Sequence, residues 1–421
     1  MVVGVEGAAG TGKTYRLMEL LAETLDVSPL AGSQKILALT FMHGSRRRLC
    51  ERLSNVRGLG LRFDCLTFDG FAYRLQHRWA SLAKALSIPL LDEADFDGQC
   101  EAAGILLERD EVRAWVATSY PVLVVDEAQD LNAPRLRLLR ALSRSLKTLV
   151  AADEFQCLDT SLLPAPAVEW MRSACKPETL TIARRTSQSE LLVAAGDIRA
   201  GRAPQSGGSF QVLGSKGDGM SAAHLARTLA LGGTRNVAIL TPSRKSGWAP
   251  KILELIGTKP YGKGNFGPHA VRWERSYADN ASTAVDALQL ADVNELDDTL
   301  RLLKSLPDSG PVRATMRWVH HRRDALGIQS FSRAEIIDNL GRNFQSSSRY
   351  DRADRHTGFI TMTVHQAKNR EFDGVVVMWP YAVGGNDDGK RRLLYNAVTR
   401  AKRWCTVIVQ NDRLRSVVPF R

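Results

Sequence analysis

Residues 7–14 read Gly-Ala-Ala-Gly-Thr-Gly-Lys-Thr, and the apolar run Val2, Val3, Val5 leads into them. From Thr14 to Leu25 the residues Leu17, Leu20, Leu21 and Leu25 recur at helical spacing on one face. A short buried strand, a turn too tight for side chains and a helix in direct succession leave the chain little geometric choice. In this setting the pattern G-x-x-x-x-G-K-[ST] wraps a triphosphate with backbone N–H groups and the positive end of the helix dipole. On that reading Gly7, Ala8, Ala9, Gly10, Thr11 and Gly12 form the cradle. Lys13 meets the β/γ oxygens as a point charge, and the Thr14 hydroxyl takes one position on Mg²⁺. Kinases, GTPases, transporters and motors share such a loop, so the remaining sequence must choose among them.

At 421 residues the chain has room for several domains with real cores. Its net charge of +12 favours a polyanionic partner, although a basic surface alone is weak evidence for nucleic acid. No apolar run approaches the roughly 18 residues of a membrane span. The first residues enter a core strand directly, which leaves no room for a signal peptide. Cys50, Cys65, Cys100, Cys157, Cys175 and Cys405 lack metal-type spacing. These features together predict a cytoplasmic protein with reduced thiols and no membrane contact. Short apolar strands alternate with amphipathic stretches, as in parallel α/β architecture, and Gly201–Gly208 reads as a linker after which the pattern restarts. The polar stretch Ser346–Gly358 reads as a loop.

A second signal is Leu123-Val-Val-Asp-Glu-Ala-Gln-Asp130, a buried strand ending in adjacent carboxylates where a parallel sheet binds ligands. Asp126 would hold Mg²⁺ and Glu127 would orient and deprotonate a water.

Further motifs follow in a recognisable order. They are Thr40-Phe41 at the end of Leu-Ala-Leu-Thr-Phe, Thr67-Phe-Asp-Gly-Phe71, Ala151-Ala-Asp-Glu-Phe-Gln156 and Leu180-Thr-Ile-Ala-Arg-Arg-Thr186. Thr363-Val-His-Gln-Ala-Lys-Asn-Arg-Glu-Phe372 and Arg392-Leu-Leu-Tyr-Asn-Ala-Val-Thr-Arg-Ala-Lys402 complete the series. This series resembles superfamily 1 helicases of the UvrD/Rep/PcrA type. The resemblance implies two RecA-like parallel-sheet P-loop NTPase domains with reduced helical insertions. The first domain would span 1–71 and 119–183, with a vestigial insertion at 72–118. The second would span 184–269 and 356–421, with a reduced insertion at 270–355. It further implies ATP hydrolysis with Mg²⁺, coupled to 3′→5′ movement on single-stranded or tailed duplex DNA. Gln156 would sense the γ-phosphate, Arg185 and Arg400 would neutralise it, and Glu371 would join the ATP site. Thr40, Phe41, Thr67, Phe68, Thr363 and His365 would contact DNA. A protein partner supplying a nuclease or loading function is compatible with the small insertions. A nucleic-acid-stimulated ATPase or sensor subunit that does not unwind alone is the competing reading.

Departures from the family pattern matter as well. With six residues ahead of Gly7, no glutamine motif for adenine is expected. Tyr15 and Arg184 stand where the family has an arginine and a tyrosine, so an adenine sandwich with exchanged members is one reading and two surface residues the other. The stacking aromatics usual after Gln156 are missing, which leaves Phe41, Phe68, Trp170 or backbone contacts to grip DNA, with Trp170 equally a core residue. Asn369-Arg370 replaces the usual Gly-Leu. Arg317-Trp-Val-His-His-Arg-Arg323 reads either as a phosphate-tracking stripe or as a solvated helix face.

Overall fold

The computed structural model describes residues 1–41, 43–88, 95–234, 236–244, 246–274, 277–347 and 359–421. Most of the loop expected at 346–358 therefore lies outside the described residues. The chain forms two compact units, one of Met1–Arg272 with Gly358–Arg421 and the other of Trp273–Thr357.

The larger unit contains two six-stranded sheets. The strands of the first are β1 (Val2–Gly7), β2 (Ile36–Thr40), β3 (Phe63–Thr67), β4 (Val122–Asp126), β5 (Lys147–Ala152) and β6 (Glu178–Leu180). They pair in the order β3-β2-β4-β5-β1-β6, parallel throughout. Both faces are covered, and the two-residue pleat sorts the side chains. Leu37, Leu39, Leu123 and Val125 point into one apolar cluster, and Ile36, Ala38, Val122 and Val124 into the other. The helix Lys13–Val27 lays Leu17, Met18, Leu21 and Leu25 onto the second face. Register aligns Thr40 with both Thr67 and Asp126, so the loops carrying the motifs leave from one carboxyl edge.

Strands β7 (Phe210–Gly214), β8 (Val237–Thr241) and β9 (Val271–Trp273) precede the smaller unit, whose own short strands are β10 (Val293–Glu295) and β11 (Ser330–Ser332). After it come β12 (Phe359–Thr363), β13 (Phe372–Trp379) and β14 (Ala401–Val409). The second sheet runs β7-β14-β13-β8-β12-β9, with the first five strands of that order parallel. Phe372 is in register with Ala401, so Glu371 and Arg400 sit side by side at the amino edge of β13 and β14.

The described helices of the stretch 72–118 do not form a body of their own. Helices Phe68–Arg78, Phe96–Leu107 and Asp110–Ser119 bury Phe71, Leu75, Leu106, Leu107, Val112 and Val116 in the cluster that covers the first sheet. Each such side chain contributes about 1.5–3 kcal/mol of burial, which ties these helices to the domain beneath. The smaller unit packs helices Leu296–Ser305, Gly310–Leu326 and Arg333–Ser347 around Leu303, Val319, Phe331, Ile336 and Leu340. Within its basic stretch, Trp318 lies 5.4 Å from the Phe331 ring. Arg322 stacks on Trp318 and pairs with Glu335 at 3.0 Å, while Arg323 pairs with Asp324 at 2.6 Å. Those three side chains are engaged within the unit, as a packed helix face requires.

The structure also assigns local roles to residues expected at the DNA. The Phe68 ring is fully buried in the core, and the Thr67 hydroxyl caps the helix that follows by accepting the Gly70 N–H at 3.0 Å. A ring with no exposed surface has no face for a base, so the expectation of stacking on Phe68 is corrected. Phe68→Ala should lower stability by about 3–5 kcal/mol and Thr67→Ala by about 1 kcal/mol in chemical denaturation. A loss below about 1 kcal/mol for Phe68→Ala would place that ring outside the core.

Candidate active site

Gly10 and Gly12 adopt φ values of +80° and +91°, open to glycine and costly for other residues. A Cβ on Gly10 would stand 2.8 Å from Cβ of Arg185, so the loop's tightness also lets the second half of the chain approach. The Arg184 and Arg185 N–H groups donate to the Gly10 carbonyl at 2.7 and 3.1 Å. Lys13, almost fully buried, donates to the carbonyls of Gly7 and Ala8 at 3.0 and 3.2 Å and lies 3.9 Å from Asp153.

At the end of β4 the Thr14 hydroxyl donates to Asp126 Oδ2 at 2.7 Å. Burial, with Glu127 next to it, pushes the Asp126 carboxyl up to about 6. A buried carboxylate short of positive charge, converging with a hydroxyl, is a hard oxygen pair that suits Mg²⁺. Glu127 lies at φ +59°, a conformation that costs a non-glycine residue of order 1 kcal/mol. It is held there because Asp126 Oδ1 accepts its N–H at 3.0 Å and Gln129 donates to its carboxylate at 2.5 Å. Burial opposes its charge, but Lys13, Lys368, the Gln129 hydrogen bond and Arg400 outweigh that and keep the carboxyl below its ordinary range. Two adjacent carboxyls are thus driven apart, Asp126 upward and Glu127 downward.

The opposite wall comes from the second sheet and from the segment that follows β6. Arg400, 2% exposed, donates to Gln156 Oε1 at 3.3 Å and to the Asn396 carbonyl at 3.0 Å. Burial and the nearby Arg185 lower it to about 9, the signature of a guanidinium facing too little negative charge. Arg185 pairs with Glu371 at 3.0 Å and donates to the Thr399 carbonyl at 2.7 Å, and Lys402 holds the other Glu371 oxygen at 3.1 Å. Between the walls lies a cavity of about 460 Å³. Lys13, Arg48, Arg52, Arg184, Arg185, Arg400 and Lys402 line it against Asp126, Glu127 and Glu371. That excess of cations suits a polyphosphate with a divalent metal.

Of the expected nucleotide-site residues, Gly10, Gly12, Lys13, Thr14, Tyr15, Asp126, Glu127, Gln156, Arg184, Arg185, Glu371 and Arg400 all face this cavity. The Arg184 guanidinium lies 5.7 Å from the Tyr15 ring centroid. Two faces sandwiching a base stand about 7 Å apart, so the pair must part slightly to admit one. Arg48 and Arg52 were not expected. They are one helical turn apart on His43–Ser54, and the Arg46-Arg-Arg48 run was the available signal. Asn369 occupies φ +61°, which explains its use where the family has glycine, since asparagine tolerates the left-handed region better than most side chains.

The expected DNA residues are less uniform. Thr40 is buried, and Phe41 packs partly against the core with Arg135 5.3 Å over its ring. Arg135 is in turn pinned by Asp69 and Asp97, so that face of Phe41 is occupied. Thr363 accepts the Gln366 N–H in a local turn, His365 is exposed, and Trp170 packs against the core.

Glu371 is held down to about 2 from an ordinary 4.5, because Arg185, Lys402 and Arg48 outweigh its burial. A carboxyl lowered on folding stabilises the fold fully above its unfolded value and loses that contribution as pH falls toward the folded one. Melting temperatures should therefore drop between pH 4.5 and 2, and Glu371→Gln should flatten part of that drop. An unchanged acid limb in the variant would remove Glu371 from the network.

Residues 1–161 match the AAA domain model, and residues 358–408 match the UvrD-like helicase C-terminal domain. No curated protein matches the chain. Among solved structures, the chain is similar to an arterivirus nonstructural protein 10 (helicase) determined in complex with DNA, at 12% identity and a TM-score of 0.42. That similarity covers 100% of this chain and 63% of the viral one. Residues 358–408, which carry Glu371 and Arg400 of one wall, are thus similar to a UvrD-like helicase C-terminal domain, and residues 1–161, which carry the phosphate loop and Asp126 of the other, to an AAA domain.

Proposed function

We propose that this protein is an ATP-hydrolysing motor that translocates 3′→5′ on single-stranded DNA and unwinds tailed duplexes. The observation carrying this reading is that Lys13, Asp126, Glu127 and Gln156, from the first sheet and the loops that follow its strands, face Arg400 of the second sheet and Arg185 of the segment after β6 across a single cavity. Transfer of a phosphoryl group to water is accelerated by groups that gain interaction as charge develops, and these are such groups. Thr14 and Asp126 would hold Mg²⁺, which neutralises phosphate oxygens when bound. Lys13 binds the triphosphate, Glu127 orients the attacking water and accepts its proton, and Gln156 senses the γ-phosphate. Arg400 comes from the second sheet, and the Arg185 side chain is held there by Glu371 and the Thr399 carbonyl, so the reactive arrangement requires both sheets. Loss of either arginine should cost roughly 10³-fold in turnover. Cycles of closing and opening would move one DNA-gripping half past the other. Phe41, Thr363 and His365 are the candidate contacts, with much of the grip left to backbone.

The packing of the described helices of 72–118 against the first sheet favours a second reading. In it the protein is a nucleic-acid-stimulated ATPase or sensor subunit whose partner supplies unwinding.

ATP hydrolysis by the purified protein should rise on adding single-stranded DNA, and a lack of stimulation would overturn both readings. Displacement from 3′-tailed but not 5′-tailed duplexes supports the helicase, and stimulated hydrolysis without displacement supports the subunit. Lys13→Ala and Glu127→Gln should each abolish hydrolysis, with Glu127→Gln still binding ATP; persistent turnover in Glu127→Gln would remove its role as base. Tyr15→Ala and Arg184→Ala should each weaken ATP binding, about tenfold if the pair sandwiches the base. Unaltered affinity in both would make them surface residues.

A further inference from the structure

Asp153 follows β5 and is completely buried, and three groups compete for its charge. Gln156 donates to Oδ2 at 2.8 Å, and the Lys13 ammonium lies 3.9 Å from the same oxygen. On the other side Arg199 Nη1 donates to Oδ1 at 2.7 Å. Lys13 and Gln156 belong to the nucleotide-binding half. Arg199 does not, and no motif of the sequence includes it. It ends the helix Ser189–Arg199, which Leu191, Ala194 and Ile198 anchor in the core of the second domain. The same guanidinium nitrogen donates to the Tyr395 hydroxyl at 3.2 Å, and that oxygen also accepts the Ala9 N–H of the phosphate loop at 2.8 Å. Both lone pairs of Tyr395 are thereby taken, one from each half of the chain. Arg199 also stacks 5.4 Å from Phe155, the residue between Asp153 and Gln156 that is inserted against the second domain's core.

A carboxylate buried this deeply must have a cationic partner. When Arg199 is in place, the partner comes from the second domain, and Lys13 is left at a distance longer than a direct hydrogen bond. If Arg199 is withdrawn, Lys13 is the remaining cation on Asp153 among the described residues, and the ammonium that pairs with a carboxylate is not available to a triphosphate.

We propose that Arg199 is a positioning residue that couples the approach of the second domain to the phosphate-loop lysine, by taking Asp153 and so releasing Lys13 for the nucleotide. The inference rests on the ATPase reading above and adds the device that ties hydrolysis to contact between the halves. Tyr395 acts with it, holding Ala9 and the arginine in one hydrogen-bonded line.

The test is a double-mutant cycle on the full chain, with DNA-stimulated ATP turnover and fluorescent-ATP affinity as readouts and thermal unfolding as the folding control. Arg199→Ala should lower turnover about tenfold, and Arg199→Lys should stay within about threefold of the parent. The discriminating variant is Arg199→Ala combined with Asp153→Asn. With the carboxylate charge gone, nothing captures Lys13, and the double variant should perform like Asp153→Asn alone. If Arg199→Ala lowers activity by the same factor in both backgrounds, Arg199 is only structural and the proposal fails. Should Arg199→Ala not fold, Arg199→Gln enters the same cycle. A parent protein that binds ATP without hydrolysing it overturns the functional reading, and the cycle is then decided on affinity. A parent that binds no ATP overturns both.

Discussion

Lys368 places its ammonium 2.6 Å from both oxygens of Asp130, and neither side chain is as much as a tenth exposed. Asp130 belongs to the loop after β4 and Lys368 to the loop after β12, so this ion pair fastens the two sheets beside the cavity. Burial raises the Asp130 carboxyl, and Lys368 is what opposes that rise. A pair of this kind adds little net stability, yet removing one partner strands a charge at a cost of about 3–5 kcal/mol. The pair constrains how the two loops meet, because displacing either one leaves a buried charge without its partner. The same ammonium helps keep Glu127 ionised, which links the join between the halves to the chemistry.

Around that pair the two sheets use opposite edges. The first offers the carboxyl ends of its strands, where Gly7, Asp126 and Asp153 begin loops rich in backbone N–H groups and carboxylates. The second offers the amino ends of β13 and β14, where Glu371 and Arg400 lie in register. One edge presents carboxylates, the Thr14 hydroxyl and backbone N–H groups, and the other presents the Arg400 guanidinium beside Glu371. Neither wall alone has the charge balance for a triphosphate and its metal. The cross-half contacts of Arg199 with Asp153, Tyr395 with Ala9 and Arg400 with Gln156 repeat this division.

The phosphate loop, the Asp126-Glu127 pair, Gln156, Arg185 and Arg400 were legible because their chemistry demands particular residue types at short, fixed spacing. The alternation of apolar strands and amphipathic helices was legible for a similar reason, since a pleat sorts side chains at a period of two. Which of the residues expected at DNA are exposed was less legible. Thr67-Phe68 has the sequence of a family motif, but whether a phenylalanine at a strand end faces solvent or core depends on what packs over it. Here the helices from 68 to 119 close over that strand end and bury the ring.

What the sequence determined by itself was local. It specified a phosphate cradle, a strand ending in paired carboxylates and a set of arginines within recognisable motifs, because each is a relation among residues a few positions apart. Tertiary structure decided which of these groups share one volume and what charge each carries there. Asp126 rises through its burial and the charge of Glu127, while Glu127 falls because Lys13, Lys368 and Arg400 reach it from far along the sequence. Arg199 has no motif at all and acquires significance only through Asp153, 46 positions away. Such pairings depend on distance in a low-dielectric interior, which no spacing along the chain encodes.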